Sequence, residues 1–195
     1  MSNPSLQLVG NALYLLRAIV RYNPAISARI VQIPNLVQQL LSLTRCNSTK
    51  QRIQHNSEQA MLVWKQCNKC LYWIRQLGDL KVQSQLVKEL NYIQIQVREG
   101  GTAGGSELES SFIISKTVNY IQSMIIALRQ GTKQCNPQPR LLVTVFENLE
   151  YEGGNEEIEA HQFHNGVVGN DLIKIQANNT MNNIANAHVC QIRNV

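Results

Sequence analysis

No apolar run in this 195-residue chain approaches the roughly 20 residues that a bilayer-crossing helix requires, so no membrane span is expected. The first ten residues place no basic flank before a long apolar run, and a secretory leader is not expected either. The five cysteines are odd in number and irregularly spaced, which fits a reducing compartment better than a disulfide framework; the expected location is cytoplasmic and nuclear. In that setting the sequons at Asn47-Ser48-Thr49 and Asn178-Asn179-Thr180 are chance products of an Asn-rich chain. Alternating strand-type patterning is missing as well, so a sheet is not expected.

Acidic residues are scarce in one half only. Residues 1–100 hold twelve Lys and Arg against Glu58, Asp79, Glu89 and Glu99, a balance of +8. Residues 101–195 hold six against nine, a balance of −3, although the whole chain is +5. The acids of the second half crowd into Glu147, Glu150, Glu152, Glu156, Glu157 and Glu159. Such a run attracts a basic peptide or simply forms a solvated helix end.

What the chain has in quantity is helical periodicity, and with 44% hydrophobic residues it can bury a sizeable core. Leu86, Leu90, Ile93 and Val97 fall at i, i+4, i+7 and i+11, one stripe of an amphipathic helix over Lys81–Glu99, with Gly100 as its left-handed stop. Further helices are expected over Asn11–Tyr22, Ala25–Gln32, the stretch led by Pro34, and Met61–Gln76. The second half adds Glu107–Lys116, Val118–Gln130, Arg140–Glu152, Glu156–Asn165, Asn170–Ala177 and Asn179–Gln191. Breaks fall at Gly78-Asp79, Gly100 to Gly105, Gly131 to Pro139 and Gly153-Gly154. Their regular placement suggests one continuous array of helical units over residues 1–195, about four in number, with one shortened near 46–60.

Several motifs invite chemistry. Cys67-Asn68-Lys69-Cys70 could join Cys46 and His55 as a zinc set, but there is no second C-x-x-C, and on a helix the two thiols are better read as small core residues. His161 and His164, beside Glu157 and Glu159, have ligand-like spacing, yet their Gly- and Asn-rich surroundings suggest a solvated turn. The glycines from Gly100 to Gly105 lack the Gly-Lys-Ser/Thr ending of a phosphate loop. No cofactor or metal is therefore expected. Trp64, Lys65, Lys69, Tyr72, Trp73 and Arg75 interleave rings with cations, as nucleic-acid binders do, although scattered helical faces make that the weaker reading. Trp73 is expected to be mostly buried and Trp64 to stand on a concave surface. No nucleophile, base and orienting group can be assembled from neighbouring positions, so the chain is not expected to be an enzyme.

The run from Ala25-Ile26-Ser27 to Gln39-Leu40-Leu41 resembles the first and second helices of an armadillo repeat, and Asn11–Asn23 the third helix of the repeat before it. Lys81 to Thr102, Ser111 to Leu128, and Val143–Leu149 with Gly169–Gln176 are similar, in order, to late repeats of the importin alpha family. The resemblance is diffuse but spans most of the chain. It implies an all-α, armadillo-type right-handed superhelix of stacked helical repeats. It also implies a non-enzymatic nuclear-import adaptor that holds basic nuclear localisation signals along a groove and works with importin beta-type transport factors.

In that family a Trp and an Asn one helical turn later clamp the peptide, a spacing that puts both on one face. The matching positions here are Tyr92 with Gln96, and Thr144 with Asn148, while Glu147 and Glu150 would add attraction for a basic peptide. Arg17 stands at the matching position of the first unit, where it would repel such a peptide. The alternative is a structural scaffold whose basic first half docks on an acidic protein or nucleic acid. Leu6, Leu8, Leu13 and Leu16 lack a polar capping helix, which points to self-association or a docked partner at that end.

Overall fold

The computed structural model describes residues 4–33, 35–45, 53–101, 111–163 and 171–192, and among them every regular element is helical. They form two compact units, one of Met1–Leu90 with Lys133–Cys135, the other of Asn91–Thr132 with Asn136–Val195.

The first unit contains α1 (Pro4–Tyr22), α2 (Pro24–Gln32), α3 (Leu36–Arg45), α4 (Ile53–Leu77) and α5 (Leu80–Ser84), which runs into a π-helical turn at Gln85–Glu89. Pro24 opens α2 in the first turn, where a missing N–H costs nothing. Asp79 caps α5 by accepting from the Val82 N–H at 3.0 Å. α4 is the spine on which α1, α2 and α3 all pack. Trp64, Cys67, Cys70, Leu71 and Ile74 on α4 have no exposed surface, and they meet Leu13 and Val20 of α1 and Leu40 of α3 among the core residues. α1 and α4 run in the same direction. A Cβ at Gly10 would touch Leu62, Arg17 Nη1 donates to Gln66 Oε1 at 3.2 Å, and the Arg21 guanidinium lies over the Trp73 ring.

The second unit contains α6 (Tyr92–Gly100), α7 (Ser111–Gln130), α8 (Pro139–Tyr151), α9 (Gly154–Gln162) and α10 (Asp171–Ile192). Here α7 is the centre, packed by α6, α8 and α10, while α9 bridges α8 and α10. Gly131 ends α7 with φ 82° and its N–H donates to the Ala127 carbonyl at 2.9 Å. The loop then closes with the Gln138 N–H on the Leu128 carbonyl. Gly153, at φ 68°, makes the tight passage from α8 to α9.

The structure corrects four local expectations. The helix expected over Lys81–Glu99 is broken: the π-helical turn gives way at Leu90, and Asn91 adopts φ 52°, ψ 39° before α6 begins. Leu86, Ile93 and Val97 are still buried, but not as one continuous stripe. Gly100 is not the left-handed stop; it is the last residue of α6, pressed so closely on Thr117 that a Cβ would overlap Thr117 Oγ1. The helices expected over Glu107–Lys116 and Val118–Gln130 are one helix from Ser111, because Thr117 is buried and bonded to the carbonyls of Ile113 and Ile114 instead of breaking the turn. The last pair expected, Asn170–Ala177 and Asn179–Gln191, is likewise the single helix α10.

Of the two tryptophans, Trp64 is the one that departs from its expected surface place. Trp64 is wholly buried and Trp73 is half-buried, edge-on to Tyr72 with centroids 5.3 Å apart. Of the N-terminal leucines, Leu13 is buried, Leu6 and Leu16 are half-buried, and Leu8 is exposed. The region 46–52, and with it Cys46 of the suggested shortened repeat, lies outside the described residues, as do the loop Thr102–Ser110 and His164.

Candidate peptide-binding face of the second unit

α8 starts at Pro139, whose ring suits a first helical position, and Leu141, Leu142, Val145, Phe146 and Leu149 turn inward. The remaining positions form a second stripe. Arg140, Val143, Thr144, Glu147, Asn148 and Tyr151 follow at i, i+3, i+4, i+7, i+8 and i+11, and each is exposed or half-buried. Tyr151 is 82% exposed, and Val143 is 40% exposed. Glu150, one turn beyond Glu147, extends the acidic edge of the stripe. Thr144 Oγ1 donates back to the Arg140 carbonyl at 3.4 Å, while the Asn148 amide is half-exposed between Thr144 and Tyr151. This face can offer an amide to a peptide backbone, a ring to an aliphatic stem, and carboxylates to a cation.

Thr144, Glu147, Asn148 and Glu150 are therefore brought together on α8, but Tyr92 and Gln96 are not part of that face. Both lie on α6 with no exposed surface, so in this structure they are core residues and do not present themselves to a peptide. Ile93, Ile95, Val97 and Gly100 of the same short helix are buried with them, while Arg98 stays exposed. Trp64 and Asn68 on α4 also have the i, i+4 spacing, yet both are fully buried and the Asn68 amide donates to the Trp64 carbonyl at 3.2 Å. The residue that sequence reasoning missed is Tyr151. Its signal was available, since it stands one turn after Asn148 on the face that Thr144 begins.

The acidic run divides once folded. Glu152 is held by Arg98 of α6 in a two-point pair, Nε to Oε2 at 2.9 Å and Nη2 to Oε1 at 3.0 Å. Glu157 faces His161 at 3.6 Å, one turn along α9. That leaves Glu147, Glu150, Glu156 and Glu159 exposed to meet a cation. The Glu152 carboxylate is thereby spent on tying the end of α8 to α6.

His161 is not in a solvated turn. It is 3% exposed, with Nε2 3.3 Å from the Gly100 carbonyl, and it lines a small cleft with Gln96, Gly100, Thr117 and Glu157. Nothing in that cleft is set up as a nucleophile, because the Thr117 hydroxyl is shared between two backbone carbonyls at 2.9 and 3.0 Å. In the first unit, burial pushes the Cys67 and Cys70 thiols up to about 12, with the neighbouring Cys70 adding to the rise at Cys67. Cys70 Sγ instead donates to the Leu13 carbonyl at 3.4 Å, the behaviour of a core thiol.

Compared with known proteins, the chain matches no family model, no curated protein and no solved structure.

Proposed function

We propose that this chain is a non-enzymatic, armadillo-type binding protein whose α8 face takes an extended, basic peptide. The observation that carries this is the exposed stripe on α8, where Thr144, Glu147, Asn148 and Tyr151 stand on one side of a helix anchored by five buried apolar residues. A rigid helix face with a free amide and flanking carboxylates suits an extended ligand better than a small one. The armadillo arrangement is supported in the first unit, where two helices running the same way, α1 and α4, are joined through the two short helices α2 and α3. That is the order in which the third helix of one repeat is followed by the three helices of the next.

The peptide lies across α8 with its backbone on the Asn148 amide, a Lys or Arg stem against the Tyr151 ring, and its cation near Glu147 and Glu150. Titration calorimetry of the full chain with a Lys/Arg-rich peptide at low salt tests this. Heat that disappears with Tyr151→Ala and Asn148→Ala supports the α8 face. Absence of binding at low salt removes the reading, and with it the role of an adaptor for nuclear localisation signals.

A further inference from the structure

The first unit gathers arginines and aromatic rings on one ledge along α1 and α4, apart from anything the α8 face requires. The Arg21 Cζ lies 5.2 Å from the Tyr22 ring centroid and 5.3 Å from that of Trp73. The Arg17 Cζ lies 4.5 Å from the Tyr14 ring, while its Nη1 donates to Gln66. Tyr72 meets Trp73 edge-to-face, and Lys69 precedes Trp73 by one turn on the same side of α4. These rings are not merely core: Tyr14 is 51% and Tyr22 75% exposed, and Trp73 is half-buried.

Cations outnumber acids around the ledge, and the acid that follows α4, Asp79, has its side chain engaged in capping α5. α1, α2 and α3 contain no acidic residue, and α4 contains only Glu58. Glu58 precedes Gln66, the partner of Arg17, by eight residues and Trp73 by fifteen, about 12 and 22 Å along a helix rising 1.5 Å per residue, both beyond the screening length of about 8–10 Å in ordinary salt. An acidic protein surface would need the cations but not the exposed rings. An apolar partner would need the rings but not the cations. A nucleic-acid strand with unpaired bases uses both, because its phosphates are anionic and every base has a face that stacks.

We infer that the α1/α4 ledge binds single-stranded nucleic acid, with Arg17, Arg21 and Lys69 meeting phosphates and Tyr14, Tyr22 and Trp73 stacking on bases. Duplex is disfavoured, since its bases are already stacked and cannot reach the rings. Guanidinium groups lying over the rings pre-orient the ledge, so that a base can stack on either the ring or the guanidinium plane.

The test uses the full chain and a fluorescein-labelled oligothymidylate or oligouridylate of about 12 nucleotides, long enough to cover one such site. Fluorescence anisotropy should show binding that weakens with salt at a log–log slope near −2, as about three neutralised phosphates on a single strand require. Tyr22→Ala, at an exposed position, should weaken binding roughly tenfold, and Arg21→Gln should flatten the slope by about 0.7. Intrinsic fluorescence gives an independent readout. Of the two tryptophans Trp64 is sealed in the core, so quenching by the oligonucleotide should come from Trp73 and vanish in Trp73→Phe. No binding at about 50 mM salt overturns the inference, given that electrostatic affinity is strong there. So does binding without quenching and without loss in Tyr22→Ala. Polyglutamate binding as tightly as the oligonucleotide would overturn it in favour of an acidic protein partner.

Discussion

At the scale of single residues, the α8 face and the cores beneath it respond to different changes. Asn148→Ala removes one neutral hydrogen bond to a peptide backbone, so calorimetry should find a loss of about 0.5–1.5 kcal/mol that persists at any ionic strength. Glu147→Gln with Glu150→Gln should weaken the same peptide mainly at low salt, since both carboxylates are exposed and are screened over about 10 Å at 0.1 M. Equal losses at low and high salt would mean that the two acids act through structure, not through their field. Gly100→Ala belongs to the core. Its new methyl overlaps Thr117 Oγ1 and lies 3.1 Å from Thr117 Cβ, so denaturant melts should show a loss of about 1–3 kcal/mol. Pairing it with Thr117→Ala should recover part of that loss, because the two positions share one contact.

The buried thiols make a prediction about pH. Burial holds their folded values at about 12, above the ordinary thiol value of 9.0, so the folded chain keeps protons that the unfolded chain gives up first. The stability they contribute is complete below pH 9 and is lost as pH climbs from there towards 12. Thermal melts should therefore fall across that window, and Cys67→Ala with Cys70→Ala should flatten the fall. A native chain at pH 8 should also react with a thiol reagent at these two cysteines only as fast as it opens.

At the scale of elements, the passage from the π-helical turn to α6 is the place where a helix expected to continue does not. Asn91 holds a left-handed backbone, which Asn tolerates because it has a short polar side chain and no branching at Cβ. Asn91→Gly should leave stability nearly unchanged, whereas Asn91→Val should cost about 1–2 kcal/mol in a denaturant titration, with the β-branched residue strained at that φ. If Asn91→Val proves neutral, the helix simply runs through and the break is not built into the native backbone. Length separates helices that were legible from those that were not. The Met61–Gln76 part of α4 was visible because a long apolar pattern allows few alternatives, but its start at Ile53 was not, since the polar residues before Ala60 carry no such pattern. The division of residues 81–100 was invisible because Leu86, Leu90, Ile93 and Val97 satisfy a continuous helix as well as a broken one.

At the scale of the whole molecule, circular dichroism should show a helix-dominated spectrum with minima near 208 and 222 nm, since all regular elements among the described residues are helical. A pronounced sheet signal would contradict the fold itself. The unequal charge of the two halves, +8 against −3, should also make one chain respond to two kinds of ligand, a basic peptide and a polyanion, with opposite dependence on which half is altered.

The sequence by itself determined that the chain is helical, where most helices begin, and where glycine and proline interrupt them. Those are properties of neighbouring residues: apolar periodicity, and the glycine-led breaks after Gln130 and Tyr151. It also placed Thr144, Glu147, Asn148 and Glu150 together, since four positions within two turns of one helix must share a side or its edge. Only tertiary structure decided which aromatics and amides face outward. Tyr92 with Gln96 and Thr144 with Asn148 have the same spacing, yet the first pair has no exposed surface while the second is only half-buried. Trp64 is likewise sealed in the core while Trp73 keeps part of its surface exposed, a difference that the spacing along α4 does not reveal. The Arg21–Trp73 contact was beyond sequence reach altogether. It joins residues fifty-two positions apart, and only the packing of α1 along α4 gathers those scattered cations and rings onto one ledge.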